Sequence, residues 1–239
     1  MTKVEQMLRD IEQEVQLTRA ETGKNTLDPR VLSAMRAVPR ERFVPEDERS
    51  MAYYNGPLSI GHGQTISQPY MVALMTDLLH LQPHHVILEV GTGSGYQAAV
   101  LSQLVARIYS VERIAQLAKE ARARLQGLGY LNVEVVEGDG YRGLPEHAPY
   151  DGIIVTAAAP HIPQPLVDQL KPSARLVIPL GGAFAGQELV VVEKSVDGHL
   201  SERRLLSVAF VPLTGSGHNQ PAQIRKPKGH KGGVNDSDV

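Results

Sequence analysis

The amino-acid sequence predicts an α/β fold: a mostly parallel, doubly wound sheet with N-terminal helices and an antiparallel hairpin at its C-terminal edge. An apolar stretch at 86–90 leads directly into a glycine-rich turn and then into a helical pattern. Strand and helix patterns alternate from there onward, which is typical of parallel sheets. The last two strand patterns, 188–194 and 203–211, are separated by Asp197-Gly198, a dipeptide typical of hairpin turns.

The N-terminal part of the chain contains predicted helices and one long irregular segment. Apolar side chains recur at helical spacing over 3–20, and a second short helix at 28–38 opens with Asp-Pro and stops at Pro39. Residues 43–67 contain several Pro, Gly and Ser and show no steady period. Because long irregular loops in compact domains tend to be functional, we expect this segment to cover a binding site. A further helix is predicted at 68–79, before the first strand.

The strands and helices of the sheet follow at short intervals. The predicted parallel strands are 86–90, 107–111, 133–136, 151–155 and 175–180. The helices between them lie near 96–105, 113–126 and 164–170. We expect one domain over 1–214, in which 1–80 supplies the N-terminal helices and the covering loop and 81–214 forms the ligand-binding core. The tail at 215–239 is predicted to end in disorder, because almost nothing apolar follows Ile224.

Composition limits the classes of function. The chain has 239 residues, of which 42% are hydrophobic and 21% charged, ordinary values for a globular domain. A net charge of −2 argues against bulk electrostatic binding to nucleic acid or anionic membrane. Zero cysteines exclude disulfides, thiolate zinc sites and a cysteine nucleophile. The charged start and the lack of an apolar run of ~18 residues predict a soluble, cytoplasmic protein. We expect a monomer with neither nucleic-acid nor membrane partners.

Two groups of charged or titratable side chains invite functional interpretations that we disfavour. His80, His84 and His85 lie close together, but adjacent histidines point apart and no third ligand is spaced for zinc. We therefore predict no metal site. The basic run at 225–231 is compatible with a weak nucleic-acid contact, although a solvated tail is the favoured interpretation.

The glycine-rich turn predicts a nucleotide-like ligand. Gly91, Gly93 and Gly95 allow positive φ and a close approach of the backbone to a ligand. The spacing is G-x-G-x-G, not the G-x-G-x-x-G of dinucleotide sites, and no Gly-Lys-Ser/Thr follows for a triphosphate. Glu112 ends the next strand about twenty residues on, where such folds hold a ribose. The pattern favours S-adenosylmethionine (AdoMet) over NAD, and Glu112 disfavours a turn that only packs a helix on the sheet.

Other loops at the same edge of the sheet are candidates for ligand contact, because open parallel sheets bind ligands beyond the carboxyl ends of their strands. These loops are 91–95, 112–113, 138–143 and 156–162. Asp139 in Gly138-Asp-Gly140 is a candidate acceptor for an adenine amino group. Taken in isolation, a simple Asp-Gly β-turn explains this segment equally well.

Two sequence blocks resemble one enzyme family. The block from Ile60 to Met71, Ile-Gly-His-Gly-Gln-Thr-Ile-Ser-Gln-Pro-Tyr-Met, precedes Glu89-Val-Gly-Thr-Gly-Ser-Gly-Tyr96, and together they resemble the protein-L-isoaspartate (D-aspartate) O-methyltransferases. The first block is far more specific than the glycine turn, which many methyltransferases share. The resemblance covers roughly 28–214 and implies a Rossmann-like class I AdoMet-dependent methyltransferase fold. The sequence departs from bacterial members at Asn55, often Asp, and at Ser59, often Pro.

The resemblance also implies roles for individual residues. Ser67 falls on the family's central hydroxyl, so it is the predicted catalytic residue. Positions implied to bind the substrate are Ile60, Ser67 and Thr214. Positions implied to bind AdoMet are Gln64, Thr65, Ile66, Glu89, Gly91, Thr92, Gly93, Ser94, Gly95, Glu112, Arg113, Asp139 and Gly140.

The implied reaction transfers a methyl group from AdoMet to the free carboxylate of an L-isoaspartyl residue in a damaged protein, with the D-aspartyl residue as a further candidate substrate. A carboxylate with a pKa near ~4 is already ionised at pH 7, so no general base is needed. Ser67 is then a hydrogen-bond donor that positions this carboxylate. An N-cap for the helix at 68–79 is an equally serious role for the same side chain.

Three other functions are disfavoured. A dehydrogenase needs the dinucleotide turn and a hydride-transfer acid or base. A nucleic-acid base methyltransferase needs an Asn/Asp-Pro-Pro-Tyr loop where this chain has Val155-Thr-Ala-Ala-Ala-Pro160. An AdoMet-binding module without catalysis has no use for the Gln-Thr-Ile-Ser-Gln-Pro block.

Overall fold

The computed structural model describes residues 1–182 and 186–216, which form a central sheet with helices on both faces. The helices are α1 (Lys3–Leu17), α2 (Arg19–Thr22), α3 (Pro29–Ala37), α4 (Pro69–Leu78), α5 (Tyr96–Ser102), α6 (Ala115–Gly127) and α7 (Gln164–Asp168). The strands are β1 (Leu58–Gly61), β2 (Gln64–Ile66), β3 (Val86–Val90), β4 (Arg107–Glu112), β5 (Val133–Glu137), β6 (Tyr150–Val155), β7 (Leu170–Gly182), β8 (Gly186–Lys194) and β9 (Leu200–Val208). The predicted fold class is confirmed.

The order of the strands places a ligand crevice beside the glycine turn. The main sheet runs β5-β4-β3-β6-β7-β8-β9, with parallel pairing from β5 to β7 and antiparallel pairing from β7 to β9. The chain therefore reverses its direction of travel across the sheet at β3, which has β4 on one side and β6 on the other. Ligands of open α/β sheets bind at such a switch point.

The strands bury side chains on both faces, as parallel strands covered by helices do. In β3, Ile87 packs into a core with residues of α1, α3, α4, α5 and α6, whereas its neighbour Leu88 packs into a second core with residues of α7. Both side chains are 0% exposed. Because both faces of the sheet are covered, the carboxyl ends of the strands are where a ligand can approach it.

The end of the predicted C-terminal hairpin differs from the prediction. The strand β9 ends at Val208, not 211, because Phe210 leaves the ladder and exchanges two hydrogen bonds with the side chain of Gln187. The chain then turns back across the sheet, where Ala158 donates to the Val211 carbonyl and Leu213 donates to the Ala158 carbonyl. This return brings residues 211–214 to the carboxyl ends of the strands.

The irregular segment at 43–67 contains structure that the sequence did not predict. Its last part is the hairpin β1–β2, whose turn has positive φ at Gly61, His62 and Gly63. Strands of four and three residues are too short to show a period, which explains the omission.

Two helices end earlier than the sequence predicts. The predicted helix at 96–105 stops at Ser102, and the one at 164–170 stops at Asp168 because the long strand β7 already begins at Leu170. Within the described ranges, no helix combines the length and the apolar character required to cross a membrane. Of the predicted tail, Gly215 and Ser216 are described, and the expected disorder at 217–239 lies outside the described residues.

Candidate active site

The glycine turn between β3 and α5 has the backbone conformation that its sequence predicts. Gly91, Gly93 and Gly95 have φ values of 97°, 53° and 89°. A Cβ at Gly91 would lie 2.5 Å from the Thr156 hydroxyl oxygen, and one at Gly95 would lie 3.1 Å from Leu125. The glycines therefore serve both the turn itself and its close packing against neighbouring segments.

Substituting Gly91 with alanine tests this packing. We expect Gly91→Ala to lower the free energy of unfolding by roughly 2–4 kcal/mol, because it combines a strained φ with a contact far below van der Waals distance. Thermal unfolding should show a fall in Tm of roughly 5–15 °C. Gly127→Ala is the matched control: Gly127 ends a helix and has open space around its Cα, so its Tm should stay or rise. Equal Tm values for both variants would contradict the packing argument.

A cavity lies above the turn at the switch point, and we call it the turn cavity. Predicted cofactor and substrate positions that line it are Gln64, Thr65, Gly91, Gly93, Glu112, Arg113, Gly140 and Thr214. Thr156 and Ala157, which belong to the predicted ligand loop 156–162, line it as well. That loop was predictable because it directly follows a strand that ends at this edge. Lining residues that were not predicted are Val90, Val111, Ile114, Val211, Pro212 and Leu213.

Glu112 ties the turn to the next strand. One carboxylate oxygen accepts from the Gly93 N–H at 2.8 Å, and the other accepts from the Ile114 N–H at 2.9 Å. The side chain is 7% exposed and lines the turn cavity. A carboxylate offers about four acceptor positions, so two remain for a ligand. Glu112 thus shapes the turn and can accept from ribose hydroxyls at the same time.

Two predicted cofactor residues lie beneath the turn and do not line the turn cavity. Glu89 is 0% exposed and accepts from the Ser110 hydroxyl, which also pairs with the Thr92 hydroxyl at 2.5 Å. Complete burial raises the pKa of the Glu89 carboxyl to about 8. This chain of polar groups links β3, the turn and β4. Glu89 and Thr92 therefore support the turn from below.

The raised pKa of Glu89 predicts a pH-dependent stability. Its pKa is about 8 in the folded protein against 4.5 for an unperturbed glutamate, so between these pH values the Glu89 carboxyl stays protonated in the folded chain and ionises in the unfolded chain. The contribution of Glu89 to the free energy of unfolding must then fall as the pH rises through this window. We expect Glu89→Gln to flatten this fall, measured as Tm from pH 5 to 8. Parallel curves for the variant and the wild type would contradict it.

Three more predicted cofactor residues, Ile66, Ser94 and Gly95, do not line the turn cavity, although Ser94 and Gly95 belong to the turn. Ile66 is buried in the core at the end of β2, and the Ser94 carbonyl accepts from Arg124 at 2.8 Å. Ile60, a predicted substrate residue, lies 3.4 Å from the position of a Cβ on Gly93. Ile60 thus packs against the turn, and Arg124 holds the turn through a backbone carbonyl.

Asp139 is held by the start of the tail. Its carboxylate accepts from the Ser216 N–H at 2.9 Å, the Ser216 hydroxyl at 2.6 Å and the Tyr141 N–H at 3.1 Å. Burial raises the pKa of this carboxyl, but these hydrogen bonds outweigh burial and hold the pKa below its usual value. The Nη1 atom of Arg113 lies 3.9 Å from the Oδ2 atom of Asp139. Asp139 borders its neighbour Gly140, which does line the turn cavity.

A second cavity, the Ser67 groove, adjoins the turn cavity. Thr65, Thr156 and Val211 line both, so the two cavities meet at these residues. Besides Ser67, the groove is lined by residues in or next to α1, α4 and β1, by the end of β9 and by the chain that follows β9: Glu14, Thr18, Pro57, Gln68, Tyr70, Met71, Leu206, Ser207, Val208, Ala209 and Phe210. Thr214, predicted near the substrate, lines the turn cavity instead.

The structure does not show Ser67 as the cap of α4. The N-cap position belongs to Gln68, and the Tyr70 N–H donates to the Asn55 side chain at 3.1 Å. Among the described residues, the Ser67 hydroxyl makes no hydrogen bond and is left to the groove. Asn55 caps the helix through its Oδ1, an acceptor that an aspartate would also supply. The departure at this position therefore keeps the same contact.

Comparisons with known proteins agree with this geometry. The family model described as protein-L-isoaspartate(D-aspartate) O-methyltransferase matches residues 12–218. The protein-L-isoaspartate O-methyltransferase 2 of Nitrosococcus oceani is 60% identical over 216 residues, which cover 90% of this chain and 98% of that protein. Its namesake in Polaromonas sp. is 60% identical over 209 residues, covering 87% and 99%.

Solved structures show the same fold. A protein-L-isoaspartate O-methyltransferase superposes with a TM-score of 0.78 at 28% identity, covering 89% of this chain and 66% of that one. A Plasmodium falciparum structure, described as a beta-aspartate methyltransferase in complex with S-adenosyl-L-homocysteine, has a TM-score of 0.69 at 24% identity and covers 86% and 97%. By the extent of the family match and by its relatives at 60% identity, this chain belongs to the protein-L-isoaspartate(D-aspartate) O-methyltransferase family.

Proposed function

We propose that this protein transfers the methyl group of AdoMet to the free α-carboxylate of L-isoaspartyl residues in damaged peptides and proteins. The observation that carries this is that two cavities adjoin: the turn cavity, shaped for an adenosine ligand, shares Thr65, Thr156 and Val211 with a groove that is lined by the unpaired Ser67. A methyl donor in the first then faces an acceptor in the second.

The chemistry needs orientation more than acid–base help. A carboxylate oxygen attacks the methyl carbon, the carbon–sulfur bond breaks, and its electron pair stays on sulfur, which leaves a methyl ester and neutral S-adenosylhomocysteine. A cation and an anion thereby cancel, so a dry site that aligns them supports the reaction. Good alignment is worth roughly 7–11 kcal/mol. The neighbouring peptide nitrogen then attacks the ester carbonyl carbon, and methoxide leaves with the amide proton as methanol. The resulting succinimide hydrolyses and returns part of the material to aspartate.

The proposal assigns the AdoMet contacts by position. Gln64, Thr65 and the glycine turn surround the donor, with Gly140 and Arg113 beside it. Glu112 accepts from the ribose hydroxyls, and Asp139 contributes at the adenine end of the same edge. Ile66, Glu89, Thr92, Ser94 and Gly95 act by holding the turn.

The substrate lies as an extended peptide along the Ser67 groove. Its wall from Leu206 to Val211 is the end of the edge strand β9 and the chain that follows it. The backbone groups on the free edge of this strand can pair with a peptide. Backbone pairing accepts many flanking sequences, which suits an enzyme that recognises damage. Ser67 donates to the acceptor carboxylate, and Ile60 and Thr214 border the reacting end. The proposal includes a single domain over 1–214, a monomeric state, a cytoplasmic location and no binding to nucleic acid or membranes.

One assay tests the proposal. The purified protein is incubated with AdoMet labelled in its methyl group and with matched peptides that carry isoaspartate, L-aspartate or D-aspartate at one position. We expect base-labile label on the isoaspartyl peptide and none on the L-aspartyl peptide, and the D-aspartyl peptide measures how far the site tolerates that residue. Equal labelling of the isoaspartyl and L-aspartyl peptides, or none of either, would overturn it.

A further inference from the structure

Arg40 is a fully buried arginine close to the active site. It is 0% exposed, although arginine is almost never completely buried unless it is paired. Its Nε donates to the Ala52 carbonyl at 2.7 Å and its Nη2 donates to the Ser67 carbonyl at 2.8 Å. The guanidinium carbon lies 4.7 Å from the centre of the Tyr96 ring. One planar cation thus contacts three segments that are far apart in sequence.

Burying the charged guanidinium of Arg40 costs free energy. Burial lowers the pKa of the Arg40 guanidinium, because the interior disfavours its charge. Its third nitrogen, Nη1, has no hydrogen-bond partner in the described ranges, and no acidic side chain there forms a salt bridge with it. Apolar side chains of similar volume often replace buried charges at no loss of stability. Stability alone is therefore a weak explanation for Arg40.

The three contacts join the two halves of the reaction site. Ser67 carries the hydroxyl that faces the acceptor, and Tyr96 is the first residue of α5, directly after the glycine turn that shapes the donor cavity. Tyr96 is itself fixed by an edge-to-face contact with Phe43, at 5.5 Å between ring centres. The rigid fork of an arginine holds a fixed spacing between a carbonyl and a ring, which the flexible ammonium of a lysine does not.

We propose that Arg40 is a positioning residue for methyl transfer: it sets the place of the Ser67 hydroxyl relative to the glycine turn by holding the Ser67 backbone and the Tyr96 ring together. This inference rests on the proposed function, since it assumes that Ser67 contacts the acceptor carboxylate. Arg40 touches neither ligand and acts through Ser67.

The test is a double-mutant cycle between Arg40→Lys and Ser67→Ala, with single-turnover rates measured on the isoaspartyl peptide. Arg40→Lys alone should lower the rate roughly 10- to 100-fold, because displacing a reacting or positioning group by about 1 Å has an effect of this size. The KM for AdoMet should change less than about 3-fold. With Ser67→Ala already present, Arg40→Lys should have almost no further effect, because no hydroxyl is left to misplace. Arg42→Lys, an exposed arginine of the same turn, is the matched control and should keep the wild-type rate.

Two outcomes of this cycle would contradict a positioning role for Arg40. Equal effects of Arg40→Lys with and without the Ser67 hydroxyl would overturn the proposal, and so would a wild-type rate for Arg40→Lys. Should Arg40→Lys fail to fold by circular dichroism, Tyr96→Leu in the same cycle removes the ring contact, and its rate loss must likewise vanish beside Ser67→Ala. A wild-type enzyme without activity on the isoaspartyl peptide would refute the proposed function itself, and so is distinguishable from an additive cycle.

Discussion

Replacing Ser67 with alanine is expected to lower kcat roughly 100-fold, which would make it one of the two largest single-residue effects in this protein. A hydrogen bond to a charged group contributes about 1.5–3 kcal/mol, and preorganised donors at developing charges contribute similar amounts to catalysis. The hydroxyl faces the Ser67 groove and has no partner within the described chain, so its loss should not disturb the fold. The measurement is steady-state kinetics with an isoaspartyl peptide.

The controls separate catalysis from folding. Ser59→Ala removes an exposed hydroxyl from the neighbouring strand β1 and should keep the wild-type kcat. The Ser67→Ala protein should bind S-adenosylhomocysteine with unchanged affinity and unfold at the wild-type Tm. Normal turnover in Ser67→Ala would remove Ser67 from the mechanism and leave the groove without its proposed donor.

The second large effect is expected at Glu112. We expect Glu112→Gln to raise the Kd for S-adenosylhomocysteine roughly 100- to 1000-fold in isothermal titration calorimetry. The amide replaces one oxygen that accepts a backbone N–H with a second donor, so either the Gly93 or the Ile114 contact is lost. The ribose loses a charged acceptor as well. Hydrogen bonds to a charged group contribute about 1.5–3 kcal/mol each, and the loss of two near the lower end of that range gives this change in Kd.

Glu137→Gln provides a matched control for Glu112. Glu137 pairs with Glu112 in the parallel register of β4 and β5, yet its side chain is exposed and away from the turn cavity. Its variant should bind S-adenosylhomocysteine normally. Because ligand binding raises Tm, the ligand-induced shift should shrink in Glu112→Gln and persist in Glu137→Gln. Similar affinities for the two variants would show that Glu112 does not contact the donor.

Family membership and fold class were predictable from the sequence and are confirmed, and with them an AdoMet-dependent O-methyltransferase. The reason is that the signals are local. The alternation of strand and helix patterns, the spacing of Gly91, Gly93 and Gly95, and the block around Ser67 each depend on residues that are neighbours in the chain. The errors of the fold prediction fall at element ends and at the short hairpin β1–β2, where few residues carry the signal.

The site could be predicted less completely. Position in a motif does not tell on which side of a turn a side chain lies. Glu89 and Thr92 are predicted AdoMet contacts, and the structure shows their side chains paired with Ser110. Val211, Pro212 and Leu213 were missed, because only the return of the chain after β9 brings them to this edge of the sheet. The roles of Ser67, Glu112 and Asp139 stay predictions until the variants are measured.

The sequence by itself determined the class of the protein: its alternating sheet, its adenosine-type turn and the family of its acceptor block. Only the tertiary structure decided how that site is closed. Three sets of hydrogen bonds join residues that are distant in sequence: those between 211–214 and Ala158, those from Ser216 to Asp139, and the one from Arg40 to the Ser67 carbonyl. Such contacts depend on how whole elements pack together, and no local spacing of residue types encodes that packing.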